Sequence, residues 1–279
     1  MPASLRPRAY WAIDTHLNFA RSLRRAQSFD FVFAAQKQGA TQLRAAGVRN
    51  CHWLPLACDP EVHGPFDLAQ GKRLEVEKAY DVAFVGHSFP GPRQELLEQV
   101  QRHFPNCFIG PALHTQMGEI YSRARMVINC CLNNDLNMRV FEALAGGALL
   151  ITNRLEDNGQ EELFADKVHL VEYGSPEEAL ALIDYYLRHP QQREAIAQAG
   201  HREAVAKHTY RLRMESLLAT VAGELREEAN LSAMTSDQPP ASPRHDRQYF
   251  RWPRPDLLAL VPTSARRVLD VGCAAGRCA

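Results

Sequence analysis

No apolar run in the sequence approaches the ~20 residues that a membrane-spanning helix needs, and Arg6, Arg8 and Asp14 interrupt the start of the chain. Neither a span nor a signal peptide is visible, while peripheral contact with a membrane stays open. Charge of one sign is lacking too. Lys+Arg and Asp+Glu both number 32, so no overall basic field draws nucleic acid or an anionic surface, although local basic sites remain possible. The seven cysteines include no CxxC pair and no Cys/His set at zinc spacing. Cys130-Cys131 lies in an apolar run and reads as a buried reduced thiol pair, which points to a reducing, cytoplasmic compartment. There is no DxD metal motif in strand context and no internal repeat. With 46% hydrophobic and 23% charged residues over 279 positions, the chain is long enough for two ordinary globular domains.

What is present is regular alternation. Residues 1–60 carry the strand signals AYWAID, FDFVFAA and CHWLPLA, separated by LNFARSLRRAQ and KQGATQLRAAGV at helical spacing. Short apolar strands joined by helices make βαβ units with a parallel sheet. Two helices after an opening strand make only part of one, so this segment reads as a partial N-terminal α/β domain. Residues 61–79, polar and with two glycines, read as an interdomain connection and an edge segment. A second run begins at YDVAFVG, passes through CFIG, MVINCC, ALLIT and VHLVEY with helices between, and ends in two long helices from Ser175 to about Glu228. Such alternation predicts a doubly wound sheet with helices on both faces, making 80–228 the complete domain. Residues 229–248 have the Ser/Pro/Asp-rich composition of a linker, and 249–279 regain apolar character.

The stretch NMRVFEALAGGALLITNRLEDNGQEELF, residues 137–164, carries the most chemistry. A helix opening near Asn137 at the carboxyl ends of the strands presents free N–H groups, which suit a diphosphate. Arg139 offers a planar cation for phosphate oxygens. Glu142, about one turn on, has two carboxylate oxygens for two ribose hydroxyls. The alternative for this pair is an ordinary surface ion pair at i,i+3. Asp14 and His16 follow the first strand, where His16 suits a general base toward an acceptor hydroxyl. The alternative there is an N-cap, with Asp14 or Thr15 satisfying amides of a helix from Leu17. His114 and the loop Asn133-Asn134-Asp135 are further candidates for the same cleft, and the other histidines read as surface or structural.

The run RVFEALAGGALLITNRLEDNGQEELF resembles the nucleotide-sugar motif of GT-B glycosyltransferases, in particular the CgeB-like, spore-maturation group with a glycosyl-transferase-group-1 C-terminal domain. DVAFVGHSFPGPRQELL resembles the opening strand and loop of that family. YWAIDTHLNF and WLPLACDPEVH resemble the end of the partner domain and its return to the hinge, so the similarity covers roughly residues 9–220. The resemblance implies a Rossmann-type, doubly wound GT-B fold with one complete C-terminal domain and a partial N-terminal one. It implies a nucleoside-diphosphate sugar as donor and an unidentified acceptor. Glu142 would hold the ribose, and Gly86, His87, Arg93 and Arg139 would lie near the phosphates. Glu161 or Glu162 would face the donor sugar, and His16 or Asp14 the acceptor. No metal or other cofactor is needed for transfer if helix dipoles with Arg93 and Arg139 stabilise the departing diphosphate. Three departures stand out. Asn134 occupies the place where a paired-acid motif has an acid, with Asp135 one position off. Gly-Gly-x-x-Glu is reduced to Asn158-Gly159 before Glu161. On this resemblance, the first part of the amino-terminal domain is expected to be missing from this sequence.

The final stretch, RRVLDVGCAAGRCA, reads as a strand entering a glycine loop. It resembles the first motif of class I S-adenosylmethionine-dependent methyltransferases, in which Asp270, Gly272 and Gly276 would border the cofactor. YFRWPRPDLLALVPTSA resembles the lead-in to that motif. The expectation is a glycosyltransferase joined to a methyltransferase, cut short at both ends in this sequence. The lone strand is then disordered, docked on the rest or prone to associate. Two other readings stay open: a non-catalytic nucleotide-sugar-binding or scaffold module, and a methyltransferase protein with a recognition domain in front.

Overall fold

The structure, a computed structural model, describes residues 7–64, 66–67, 72–73, 76–235 and 270–273. They divide into two compact units. The first unit draws on residues up to Ala35, Gly39–Leu54 and the chain from Glu215 onward; the second comprises Gln36–Gln38 and Pro55–Met214.

The first unit is built on β1 (Arg8–Ala12), α1 (Phe19–Ala26), β2 (Phe31–Ala34), α2 (Lys37–Ala45) and β3 (Cys51–Trp53). The strands pair in parallel, and Tyr10, Val32 and Ala34 pack on Ala40 and Leu43 of α2. The start of α1 differs from the sequence expectation. Asp14 takes a left-handed conformation (φ 61°) and its carbonyl closes a turn with the amide of Leu17 at 3.0 Å. That turn uses up residues 14–17, so the helix begins at Phe19. Its N-cap is Asn18, whose side chain accepts from the amide of Arg21 at 3.0 Å, rather than Asp14 or Thr15.

The second unit opens with a one-turn helix, α3 (Pro60–His63), and a short antiparallel ribbon, β4 (Phe66–Asp67) with β5 (Lys72–Arg73). The main alternation follows: β6 (Tyr80–Val85), α4 (Pro92–His103), β7 (Cys107–Gly110), α5 (His114–Ser122), β8 (Ala124–Asn129), α6 (Met138–Gly146), β9 (Leu149–Asn153), α7 (Gln160–Leu163) and β10 (Val171–Tyr173). The sheet is parallel throughout, in the order β10-β9-β8-β6-β7. Period-two alternation along β6 sends Val82 and Phe84 to one face, with Leu96, Leu97 and Val100 of α4. It sends Ala83 and Val85 to the other, with Tyr121 of α5 and Phe141 and Leu144 of α6. This is the doubly wound α/β arrangement that the alternating sequence predicts.

The two long helices expected after Ser175 are three: α8 (Pro176–Arg188), α9 (Pro190–Lys207) and α10 (Tyr210–Thr235). Pro190 has no amide proton and cannot continue the preceding turn, so it starts a new helix instead. The second break, at His208-Thr209, is imposed from outside the helices. The backbone of Cys58 donates to the carbonyl of His208 at 2.9 Å and accepts from the amide of Tyr210 at 3.0 Å. The last strand, β11 (Asp270–Cys273), adds to the first unit's sheet, pairing in parallel with β1 in the order β11-β1-β2-β3. Of the three fates open to this segment, docking is the one observed. Among the described residues, no helix is long and apolar enough to cross a membrane.

Helix α9 packs tightly on α6. A Cβ at Gly200 would lie 2.1 Å from the carbonyl oxygen of His169 and 2.7 Å from Leu144 Cδ2. Helix propensity favours Ala over Gly by about 1 kcal/mol, but no rotamer change relieves overlap with a backbone oxygen. Gly200→Ala is therefore expected to lower stability by roughly 1–3 kcal/mol, read as a lower urea midpoint. An equal or higher midpoint would show that α9 can shift freely on α6.

Candidate functional site

In the second unit the chain steps from β6 outward to β7 and then returns to lay β8 on the other side of β6. The crevice at the carboxyl ends of β6 and β8 is thus a topological switch point, where open α/β sheets bind ligands. Gly86 leaves β6 with φ 147° and donates its amide to the carbonyl of Gly110 at 3.0 Å. A Cβ there would come within 2.5 Å of Arg139 Nη2. Any side chain at position 86 would displace that guanidinium.

Arg139 is not half of a surface ion pair. From the first turn of α6 its Nε donates to the carbonyl of Val85 at 3.0 Å and its Nη1 to Asn129 Oδ1 at 2.8 Å. The guanidinium therefore spans the ends of both switch-point strands, 4.2 Å above the ring of Phe84. Arg93 approaches from α4. Its Nε and Nη2 both donate to the carbonyl of Cys130, at 3.1 and 2.8 Å, and its guanidinium lies 5.9 Å from the same ring centre. Burial, and after it the charge of Arg139, lowers the pKa of Arg93. Every one of these acceptors is a neutral oxygen, so two neighbouring cations are oriented by the protein without being neutralised by those bonds.

Asparagines set the frame. Asn129, at the end of β8, donates to Cys131 Sγ at 3.1 Å and Thr152 Oγ1 at 3.2 Å, and its carbonyl accepts from the hydroxyl of Tyr173 at 2.7 Å. Asn153 accepts from the amide of Cys131 at 2.6 Å and donates back to its carbonyl at 3.2 Å. Asn134 makes the same two-way bond with the backbone of Glu156, at 2.6 and 3.0 Å. These pairs tie the loops after β8 and β9 together just before α6. Asn137, the N-cap of α6, makes no side-chain cap bond and donates to Cys131 Sγ at 3.3 Å instead. The Asn137 side chain thus leaves the first amides of α6 to other partners. Cys131 is buried, and burial pushes its thiol up to about 11, so it stays protonated and serves as an acceptor in this frame.

One turn further along α6, Glu142 is only 5% exposed. Burial raises its pKa to about 7, with Arg139 opposing the shift. Facing it, 3.8 Å from Oε1, is Nε2 of His63. His63 was not singled out among the histidines of the sequence. The usable signal was local: Asp59-Pro60 opens a single helical turn that ends at His63, and the Asp59 side chain accepts from the amide of Glu61 at 3.1 Å.

The other expected residues fall into place as follows. His87 is exposed, its ring tilted against Phe89 at 5.8 Å. Glu161 and Glu162 are exposed on α7, and Glu162 pairs with Lys37, which belongs to the same unit. Asp135 accepts from Gln36 at 3.0 Å. Asp14 and His16 belong to the first unit, on the loop after β1. His114 opens α5, and its side chain lies outside what is described. Asp270 and Gly272 lie in β11, and Gly276 is outside the described residues. Among the described residues, no group of three or more His, Cys, Asp or Glu is placed to hold a metal ion.

Residues 72–219 match the glycosyl transferase-like family, and the chain belongs to that family. Among solved structures it is similar to HepE from Anabaena in complex with UDP-glucose, at 14% identity and a TM-score of 0.58, over 78% of this chain and 72% of that one. It is also similar to a variant of TarM from S. aureus in complex with Fondaparinux, alpha-GlcNAc-glycerol and UDP, at 11% identity and a TM-score of 0.56. That match covers 75% of this chain and 50% of TarM. The fold is that of GT-B glycosyltransferases. No curated protein matches the sequence.

The buried carboxyl has a measurable signature. Its folded pKa of about 7 lies above the ordinary 4.5. The stability it contributes as a neutral acid is full below pH 4.5 and is lost as pH rises through 7. Glu142→Gln, neutral throughout, should match the parent at low pH and exceed its stability by up to about 3 kcal/mol at pH 8, measured by urea unfolding at each pH. Identical pH profiles for the two proteins would show that the carboxyl is solvated.

Proposed function

We propose that this member of the glycosyl transferase-like family binds a nucleoside-diphosphate sugar at the carboxyl ends of β6 and β8 and transfers the sugar to an acceptor hydroxyl. The observation that carries the reading is the Arg93–Arg139 pair, whose hydrogen-bond acceptors are all neutral oxygens. A diphosphate supplies the missing negative charge, and the N-terminus of α6 adds amides to the same anion. In this reading Gly86 lets a phosphate approach the backbone, with His87 beside it. Glu142 accepts two ribose hydroxyls, and Glu161, with Glu162 next to it, addresses the sugar. As the glycosidic bond breaks, charge grows on the departing diphosphate, where fixed cations and amides act most strongly. No metal or cofactor is assigned a part. His16, with Asp14, is proposed for the acceptor side. The UDP and UDP-glucose bound in the HepE and TarM structures support a nucleoside diphosphate and make UDP the first base to test.

The finer placement in the CgeB-like group, a cytoplasmic location and the reading of Asp270–Cys273 as the opening motif of an S-adenosylmethionine-dependent domain are likewise proposals. Sequence motifs and composition support them. One observation favours a second reading, a nucleotide-sugar-binding module without transfer. Asn134 stands where the paired motif has an acid, and both ends of its amide are engaged by Glu156.

Calorimetry and thermal shift with UDP, GDP, dTDP and ADP sugars test the donor site. A ligand at ~100 times its dissociation constant should add about 2.7 kcal/mol of apparent stability. Arg93→Gln and Glu142→Ala should each weaken binding roughly ten- to a hundredfold, the loss expected for a charge-assisted hydrogen bond. Unchanged affinity in Arg93→Gln would end the diphosphate assignment. Donor binding without any release of nucleoside diphosphate, with or without sugar acceptors, would favour the binding module.

A further inference from the structure

The surroundings of Glu142 hold a second device, whose interpretation rests on the ribose assignment above. Among the described residues, four groups that carry or can carry charge face this carboxyl: Arg139 on its own helix, His63 on α3, Tyr121 on α5, and Cys58 ahead of α3. Burial pushes the Cys58 thiol up to about 12 and the Tyr121 hydroxyl well above its ordinary value, so both stay protonated near neutrality. His63 is thus the neighbour whose ring can act on the Glu142 carboxyl, across 3.8 Å.

The fold decides which nitrogen of His63 meets the carboxyl. The backbone amide of Asp59 donates to His63 Nδ1 at 3.0 Å, so that nitrogen must present its lone pair. The neutral ring therefore carries its proton on Nε2, the atom 3.8 Å from Glu142 Oε1. His63 is 2% exposed, which leaves the imidazole little room to turn away. A one-turn helix capped by Asp59 thus holds Nε2 within ion-pair distance of a buried carboxyl, at 3.8 Å and beyond direct hydrogen-bond reach. A diol needs that carboxyl as an acceptor, and a protonated Glu142 would offer a donor in its place.

We propose that His63 is a positioning residue for Glu142: its Nε2–H keeps the carboxylate ionised and oriented for the ribose diol, so that nucleotide-sugar affinity follows the proton occupancy of the His63–Glu142 pair. Binding then expels the fraction of a proton that the empty site holds at neutral pH. Affinity falls as pH drops below the titration of the pair. Removing the Nε2–H moves that fall to higher pH, and a non-titrating side chain with an N–H restores the original position.

UDP-glucose is the suitable probe, because its diphosphate has no group titrating near neutrality. Binding is measured by calorimetry from pH 5.5 to 8.5, and at pH 7 in buffers of different ionisation enthalpy. The parent should release a fraction of a proton per UDP-glucose at pH 7, a release absent in Glu142→Gln. His63→Leu should bind roughly fivefold more weakly at pH 7, with its pH profile moved up by about one unit. His63→Gln, whose amide N–H can take the place of Nε2–H, should recover most of both. If folded His63→Leu keeps the parent affinity and pH profile while Glu142→Gln does not, the inference fails and the ribose assignment survives. If Glu142→Gln binds like the parent, or the parent binds no UDP-glucose, the donor reading and the inference fall together. Should His63→Leu fail to fold, the parent alone decides, and binding without proton release at pH 7 overturns the proposal.

Discussion

Helix α6 has to be buried on nearly every side, and the rest of the second unit is arranged around that constraint. Every residue from Val140 to Gly146 is buried. Burial on all sides brings neighbouring backbones close, which small residues permit: Ala143, Ala145 and Gly146 on the helix, and Gly200 on the facing α9. A carboxyl at Glu142 is costly in such a place, since desolvation disfavours its charged form. Sites that bind ligands commonly retain groups that an optimally stable core would exclude. Arg139 escapes the same cost because it stands in the first turn and reaches out over the carboxyl edge of the sheet.

At that edge, charge and neutrality are divided between residue types. The cations come from helices on opposite faces, α4 and α6, while the groups that hold them are carbonyls and an asparagine amide. Neutral anchors fix a guanidinium's position without cancelling its charge, which leaves the field available to an anion. The asparagines answer a different need. An amide both donates and accepts, so Asn134 and Asn153 can each close a two-way bond with a backbone segment, which an ionised carboxylate cannot do. Position 134 thus joins the loops after β8 and β9 in this chain.

Much of this was legible beforehand, and the misses share one cause. The helix opening at Asn137, the glycine after β6 and the basic residues at 93 and 139 stand out in sequence because each depends on local chemistry. The cap of α1 was misplaced by a few residues because a left-handed turn at Asp14 costs little and leaves no strong pattern. The stretch after Ser175 was read as two helices where the structure has three, and Pro190 was a plain signal for one of the two breaks. The break at His208 was not visible, since the backbone and thiol of Cys58 bond there from 150 residues away. His63 was passed over because one histidine in a polar connection is ordinary until its neighbours are known.

By itself the sequence determined the order and type of the elements, because periodicities of two and 3.6 and the chemistry of turns act between near neighbours. It also determined which residue types could meet a phosphate or a diol. Only the tertiary structure decided which of them meet. Arg139 bonds Val85 across 54 positions, and Glu142 faces an imidazole supplied by α3. Such meetings follow from the order of strands in the sheet and from close packing around α6, and both are properties of the assembled core, which no stretch of chain encodes alone.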